Sequence, residues 1–226
     1  MKYRFIKRLL VRAGRYCPFV VIRFLNSAIN YLGTGHWFKA RGIEIGNSVP
    51  TRYQLFDLVV SKIAQDRVLY LEFGVYEGTT MRYWSKLLRN PSSQLHGFDS
   101  FTGLPEEWNL RSKHAFSTGG QIPLIDDPRV KFFKGWFSDT LKDYTLPDNE
   151  QLLFVNIDAD LYSSAKTVLE FLGDRLRVGS YVYFDEFCDR ANELKAFDEF
   201  IKDTKMEFRA VCATEALEHV VFQRVR

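Results

Sequence analysis

The chain has 226 residues, 46% of them hydrophobic and 15% aromatic, which suffices for one α/β domain with a sizeable core and excludes a disordered protein. Nine of its 31 Lys and Arg residues lie within residues 1–41, which contain no Asp or Glu, so 28 acidic residues outnumber 22 basic ones in residues 42–226. This acidic main body argues against nucleic-acid binding. The three cysteines show no paired spacing, form no zinc motif and fit a reducing, cytoplasmic compartment.

The first predicted element is a basic N-terminal arm, residues 1–50, which precedes the main domain at 51–226. Its basic residues Arg4, Lys7, Arg8, Arg12 and Arg15 recur at helical spacing, and Ile6, Leu9, Leu10 and Ala13 fill another face. The apolar run at 19–22 is too short and too close to Arg23 for a membrane span or a signal peptide. Two interpretations stay open: packing on the domain or on a neighbouring subunit of a homo-oligomer, and binding of residues 1–41 to an anionic membrane surface.

Strand and helix patterns then alternate through the main domain. Strand-like runs lie at 68–73, 94–98, 130–134, 152–157, 180–184, 207–212 and 219–225, and helical patterns lie at 51–64, 79–88, 164–172 and 190–202. This alternation predicts a mainly parallel sheet with helices on both faces. Polar clusters follow four of the strands, at 72–80, 99–101, 158–160 and 185–186. Because such sheets bind ligands beyond the carboxyl ends of their strands, we expect all four clusters at one edge.

The first polar cluster is the segment Glu72-Phe-Gly74-Val-Tyr-Glu-Gly78-Thr79-Thr80. Its two glycines allow a tight turn and a close approach to a ligand, and the following helix start offers free N–H groups. The pattern is neither the Gly-x-Gly-x-x-Gly of dinucleotide sites nor a Walker A loop. Glu-x-Gly-x-x-x-Gly after a strand is typical of S-adenosylmethionine (SAM) binders, in which the acid meets the positive amine. The alternative is an ordinary strand-to-helix turn.

The second cluster is Asp99-Ser100, at the end of the next strand. An acid about 20 residues after a glycine loop suits hydrogen bonding to ribose hydroxyls. The alternative is that Asp99 caps a turn.

The third and fourth clusters are two carboxylate pairs. Asp158 and Asp160 follow the apolar run at 154–157, and Asp185-Glu186 ends the run at 180–184. Four like charges close together are costly unless a positive charge lies among them. A hard divalent cation held by oxygens, Mg²⁺ first among them, is the simplest solution. The alternative is a set of solvated turn residues.

Five segments in this order resemble the macrocin O-methyltransferase (TylF-like) family, whose members are metal-dependent, SAM-using sugar O-methyltransferases of natural-product pathways. The segments are 72–80, 97–105 (Gly-Phe-Asp-Ser-Phe-Thr-Gly-Leu-Pro), 134–141 (Lys-Gly-Trp-Phe-Ser-Asp-Thr-Leu), 156–162 and 179–187. The resemblance runs from about residue 50 to the C-terminus. It implies a class I methyltransferase (Rossmann-like) fold, with a seven-stranded, mostly parallel sheet whose last strand is antiparallel.

The resemblance also implies roles for individual residues. Asp158, Asp185 and Glu186 correspond to metal ligands, and Asp160 corresponds to the general base. Glu72, Gly74 and Asp99 correspond to SAM contacts, with Gly78, Thr79 and Ser100 in the same motifs, while Trp136, Phe137 and Asp139 match the adenine pocket more loosely. The family usually has Asp-Asp-Tyr where this chain has Asp185-Glu186-Phe187, so one oxygen ligand is kept and a tyrosine hydroxyl is lost.

We therefore expect a SAM-dependent O-methyltransferase that acts on a sugar or another polyhydroxylated acceptor with the help of Mg²⁺. A divalent cation lowers the pKa of a bound hydroxyl, and a carboxylate takes its proton as the oxygen attacks the sulfonium methyl group. Two alternatives stay open. In the first alternative, the acceptor is a catechol or phenol. In the second, the chain is a non-catalytic methyltransferase-like module that binds a membrane or a partner through its basic arm.

Overall fold

The computed structural model describes residues 3–107, 111–147 and 151–226, so Met1 and Lys2 of the predicted arm lie outside the described residues. Its strands are β1 (Ser48–Val49), β2 (Val68–Phe73), β3 (Gln94–Asp99), β4 (Val130–Lys134), β5 (Leu152–Ile157), β6 (Tyr181–Phe184), β7 (Phe208–Thr214) and β8 (Val220–Arg224). Its helices are α1 (Tyr3–Gly14), α2 (Phe19–Arg41), α3 (Arg52–Ile63), α4 (Thr79–Leu87), α5 (Phe137–Asp143), α6 (Tyr162–Leu172) and α7 (Glu193–Thr204), with a short 3-10 helix at Gly173–Arg175.

The strands form one sheet in the order β1-β7-β8-β6-β5-β2-β3-β4. The last strand, β8, runs antiparallel to both of its neighbours, and the other neighbouring pairs are parallel. The predicted α/β fold with an antiparallel last strand is thus confirmed. The predicted count of seven strands is wrong by one, because the additional strand, β1, has two residues and is too short to show a period-2 pattern.

The sheet is covered on both faces, which explains the continuous apolar runs in its central strands. Every residue of β2 is buried, as are the last five of β5. One face packs against α5, α6, α7 and the end of α2, with aromatic side chains such as Phe184 and Phe197. The other face packs against α3 and α4, with Phe56 and Trp84 fully buried. The strand ends are therefore held rigidly at the edge where the polar clusters emerge.

The arm is attached to the domain at the C-terminal part of α2. Thr34 and Phe38 are buried there, and the ring of Trp37 donates a hydrogen bond from Nε1 to Oδ1 of Asp198 at 2.6 Å. Every residue of α1, by contrast, is solvent-exposed. Among the described residues, no helix has the length and apolar character needed to cross a membrane.

Candidate functional site

A cavity of about 690 Å³ lies at the carboxyl ends of β2, β3, β5 and β6, a volume within the usual range of small-molecule sites. The predicted site residues that line it are Gly74, Thr79, Asp99, Ser100, Trp136, Phe137, Asp158, Asp160, Asp185 and Glu186. Its lining does not include Glu72, Gly78 or Asp139 among the residues that the structure describes. The topology thus brings together most residues of the four polar clusters, from segments far apart in sequence.

The glycine loop, residues 74–78, forms one part of the cavity wall. Gly74 has a φ of +97°, and a Cβ atom there would lie 1.8 Å from the carbonyl oxygen of Asp158. No side chain fits in that distance without a backbone shift, so glycine is required both for its conformation and for the close approach. Gly74 therefore joins the glycine loop to the segment that carries Asp158 and Asp160.

The side chain of Asp99 links the glycine loop to the end of β3 through hydrogen bonds. Its Oδ2 accepts hydrogen bonds from the backbone N–H groups of Val75 and Tyr76, both at 2.8 Å. Its Oδ1 accepts one from the N–H of Phe101 at 2.6 Å. A carboxylate has about four acceptor positions, so Asp99 retains capacity for a ligand hydroxyl while it orders the loop.

The two other acids predicted at the cofactor lie away from the cavity. Glu72 is 1% exposed on β2, where it accepts a hydrogen bond from the hydroxyl of Tyr70 at 2.7 Å, and burial raises the pKa of Glu72 to about 8. Asp139 is exposed on α5 and pairs with Lys142 at 3.3 Å. In this structure Glu72 is part of the buried interior around β2, and Asp139 lies on the exposed surface of α5.

Aromatic side chains form a further part of the wall. Phe137 is fixed by an edge-on contact with Phe73, whose ring centroid lies 5.5 Å away. Its neighbour Trp136 lines the cavity and remains 38% exposed. A large ring with a free face suits stacking against a planar group of a ligand.

The carboxylate cluster consists of Asp158, Asp160, Asp185 and Glu186. Its two pairs emerge side by side because β5 and β6 are adjacent and parallel, with Ile157 opposite Phe184. Asp160 has a φ of +57°, an uncommon backbone conformation for a residue other than glycine. Such local strain persists only where the surrounding structure holds it, and it is frequent at functional sites.

Burial and mutual repulsion perturb three of these carboxylates. The pKa of Asp160 rises to about 7, and so does that of Glu186, in both cases because of burial first and neighbouring carboxylates second. The same causes raise the pKa of Asp158 well above its usual range. The fully ionised cluster would thus carry more negative charge than its surroundings compensate, which favours the protonated form of these three carboxyls.

The cluster has the ligand chemistry of a divalent cation site, since hard cations prefer carboxylate oxygens. Within residues 3–107, 111–147 and 151–226, however, no group of three His, Cys, Asp or Glu side chains is arranged so that it could hold a metal ion. The donor atoms therefore fit a hard divalent cation, whereas their present arrangement does not form a finished metal site.

Asp185 differs from the other three because three donors surround it. Arg52 Nη1 and His219 Nδ1 each lie 3.2 Å from its Oδ1, which also accepts a hydrogen bond from the hydroxyl of Tyr183. Burial alone would raise the pKa of Asp185, but hydrogen bonds from His219 and Tyr183 and the charge of Arg52 lower it. The sequence predictions missed Arg52, since nothing in its local pattern indicates a partner 133 positions away.

Glu193 accepts backbone hydrogen bonds from both of the segments that carry the carboxylate pairs. Its side chain is fully buried at the start of α7, where Oε2 accepts a hydrogen bond from the N–H of Glu186 at 2.9 Å. Oε1 accepts one from the N–H of Ala159, between Asp158 and Asp160, at 3.4 Å. The sequence predictions missed this residue too, because an acid in the first turn of a helix is common on exposed surfaces.

Comparisons with known proteins agree with this architecture. The macrocin-O-methyltransferase (TylF) family matches residues 50–211. The chain is 28% identical over 140 residues to 8-demethyl-8-(2,3-dimethoxy-alpha-L-rhamnosyl)-tetracenomycin-C 4'-O-methyltransferase of Streptomyces olivaceus, with 52% of each chain covered. It is 33% identical over 94 residues to mycinamicin III 3''-O-methyltransferase of Micromonospora griseorubida, which covers 42% of this chain and 34% of that one. The chain thus spans about half of the first relative and about a third of the second.

Among solved structures, the chain is similar to the O-methyltransferase NovP, with a TM-score of 0.60 and 25% identity. The match covers 77% of this chain and 80% of that one. This similarity confirms the predicted class I methyltransferase fold.

Proposed function

The chain belongs to the macrocin O-methyltransferase family, and we propose that it transfers a methyl group from SAM to a hydroxyl of a sugar or another polyhydroxylated acceptor. The observation that carries the proposal is a single cavity lined both by the glycine loop with Asp99 and by the carboxylate cluster. The printed name of the Streptomyces olivaceus relative includes a rhamnosyl group, which supports a sugar-bearing acceptor.

On this proposal, SAM occupies the part of the cavity lined by the glycine loop, Asp99 and Trp136. The N-terminus of α4 offers N–H groups to the methionine moiety, and the close packing of Gly74 on Asp158 fixes the course of the loop beside it. Asp99 accepts a hydrogen bond from the ribose, and Trp136 and Phe137 cover the adenine ring. Holding the acceptor oxygen, methyl carbon and sulfur in line then supplies much of the acceleration.

Asp160 acts as the general base. Its pKa of about 7 lies close to the working pH, which is where a base transfers protons most effectively. As the acceptor oxygen attacks the methyl carbon, its proton moves to Asp160, and the carbon–sulfur bond breaks with its electron pair on sulfur, leaving S-adenosylhomocysteine. A divalent cation, held by Asp158, Asp185 and Glu186, would lower the pKa of the acceptor hydroxyl when bound.

The experiment that tests the proposal is calorimetric titration of S-adenosylhomocysteine into the purified chain, with and without Mg²⁺. We expect binding that Asp99→Ala weakens about tenfold or more, which corresponds to about 1.4 kcal/mol. The matched control is Asp203→Ala, an exposed aspartate on α7 outside the cavity lining. Absence of binding in both conditions would contradict the proposal and favour a non-catalytic module.

A panel of acceptors then tests the substrate class. Methylation of sugars and glycosides in preference to catechols is the expected result. The reverse preference would keep the chemistry and replace the acceptor class.

A further inference from the structure

Within the basic arm, helices α1 and α2 carry an extended apolar surface that the described chain leaves uncovered. On α1, the side chains of Phe5, Leu9 and Leu10 are 74%, 56% and 64% exposed. On the first two thirds of α2 the exposed apolar residues are Phe19, Val20, Val21, Phe24, Leu25, Ile29 and Leu32. Contiguous apolar surface of this kind on a single chain indicates an interaction site.

The apolar and basic side chains of α1 are segregated on two faces. Arg4, Arg8 and Arg12 recur every four residues, so they form one face of the helix together with Lys7. The apolar side chains, Phe5, Ile6, Leu9, Leu10 and Ala13, fall on the other face. A helix with a strongly basic face and a face of Phe and Leu residues is typical of segments that lie in a membrane interface.

The charge distribution along the chain identifies the sign of the partner. Residues 1–41 have nine basic and no acidic side chains, whereas acidic residues outnumber basic ones in residues 42–226. An anionic surface therefore attracts the arm and repels the main body. This complementarity would orient the chain with its arm toward the anionic surface.

The arm is held firmly at its base. The hydroxyl of Tyr31 donates a hydrogen bond to Oε1 of Glu218 at 2.6 Å, and the rings of Trp37 and Phe187 lie 5.4 Å apart. Phe187 directly follows Glu186 of the carboxylate cluster. A bound arm would thus hold the cavity in a fixed position relative to the surface that it binds.

We propose that α1 and the exposed part of α2 bind the surface of an anionic lipid bilayer. The apolar face of α1 lies against the acyl chains, its basic face contacts the phosphate groups, and the exposed side chains of α2 extend the apolar contact. A second copy of the chain would cover the apolar residues of α2 but would make no use of the segregated faces of α1. A bilayer uses both features, so the observations favour it.

Co-sedimentation of the full chain with lipid vesicles tests this inference. Phosphatidylcholine vesicles are compared with vesicles that contain about 30% phosphatidylglycerol, which supplies the negative surface potential. We expect binding to the anionic vesicles alone, and weaker binding as NaCl is raised, because salt screens the attraction. The double variant Arg8→Gln/Arg12→Gln should weaken binding by roughly five-fold for each charge removed.

A matched pair of variants tests the apolar face. Leu9 lies on the apolar face of α1 and Val11 lies among the basic residues, and their side chains are 56% and 64% exposed. Leu9→Ser should therefore weaken vesicle binding, whereas Val11→Ser should change it little. Neither residue contributes to the core, so both variants should keep the circular dichroism and S-adenosylhomocysteine binding of the wild type.

Failure to sediment with anionic vesicles at low salt would overturn the inference, as would equal losses in Leu9→Ser and Val11→Ser. A dimer in sedimentation velocity that Leu25→Ser dissociates, without vesicle binding, would assign the surface to a second copy instead. Vesicle binding requires no methyl transfer, so its failure would leave the proposed enzymatic function intact.

Discussion

The glycine loop and the carboxylate cluster line the same cavity but differ in how their polar groups are compensated. Asp99 accepts hydrogen bonds from three backbone N–H groups, two of them in the loop, and Gly74 packs directly on the neighbouring segment. In the cluster, Asp158, Asp160 and Glu186 have raised pKa values, while Arg52 and His219 both contact Asp185. Hydrogen bonds and close packing within the protein thus order the loop, whereas the fully ionised cluster would exceed the positive charge that the described residues place beside it.

The largest effect that would separate the two regions is expected for Asp160→Asn. Removing a general base lowers kcat by about 10²- to 10⁴-fold, and the amide keeps the shape of the side chain. Affinity for S-adenosylhomocysteine should stay close to that of the wild type, because the glycine loop is unchanged. Steady-state kinetics and calorimetry on Asp160→Asn and on the control Asp203→Asn measure both quantities. Full activity in Asp160→Asn would show that Asp160 is not the general base.

Gly74→Ala should instead disturb both regions together. The positive φ costs about 1–3 kcal/mol for a residue with a Cβ atom, and the contact with the carbonyl oxygen of Asp158 adds to this cost. We expect a lower free energy of unfolding in urea and the loss of cofactor binding. The control is Gly119→Ala, whose φ is +68° but whose added Cβ would meet no heavy atom of the described residues within 4 Å, apart from its two chain neighbours. Equal losses in the two variants would show that the close contact has no effect.

Glu193→Ala should damage the carboxylate cluster and spare the glycine loop. It would leave the buried N–H of Ala159 and the partly buried N–H of Glu186 without their acceptor, and losing the acceptor of a buried group costs about 1–3 kcal/mol. We expect lower stability, a reduced kcat and nearly unchanged affinity for S-adenosylhomocysteine. Glu193→Gln keeps one acceptor oxygen and should be intermediate. An unchanged kcat in Glu193→Ala would show that Glu193 does not position the carboxylate cluster for the reaction.

A change of a single pH unit is expected to have the smallest effect on activity. The raised pKa of about 7 for Asp160 means that the carboxyl is protonated below that pH and then cannot accept a proton. The activity should therefore fall about tenfold per pH unit below about 7. Added Mg²⁺ should move this fall to lower pH, because a nearby cation favours the ionised carboxylate. A flat profile from about pH 5 to 8, with or without Mg²⁺, would contradict this assignment.

The parts of the site that the sequence predicts are those set by strand ends. Asp99, Asp158 and Asp185 could be placed together because parallel strands bring their carboxyl ends to one edge. Arg52 and Glu193 could not, because both act through tertiary contacts made by helices whose local patterns resemble ordinary amphipathic ones. The same limit applies to β1, whose two residues pair with β7 only in the folded chain.

The close packing of Gly74 on Asp158 also has a consequence for recombination between relatives. A chimera that takes the glycine loop from one protein and residues 158–160 from another must reproduce the contact between two backbones that leave no room for a side chain. A shift of either backbone would be transmitted to the other, because both segments follow adjacent strands, β2 and β5. We therefore expect these two segments to be exchangeable as a pair and not singly.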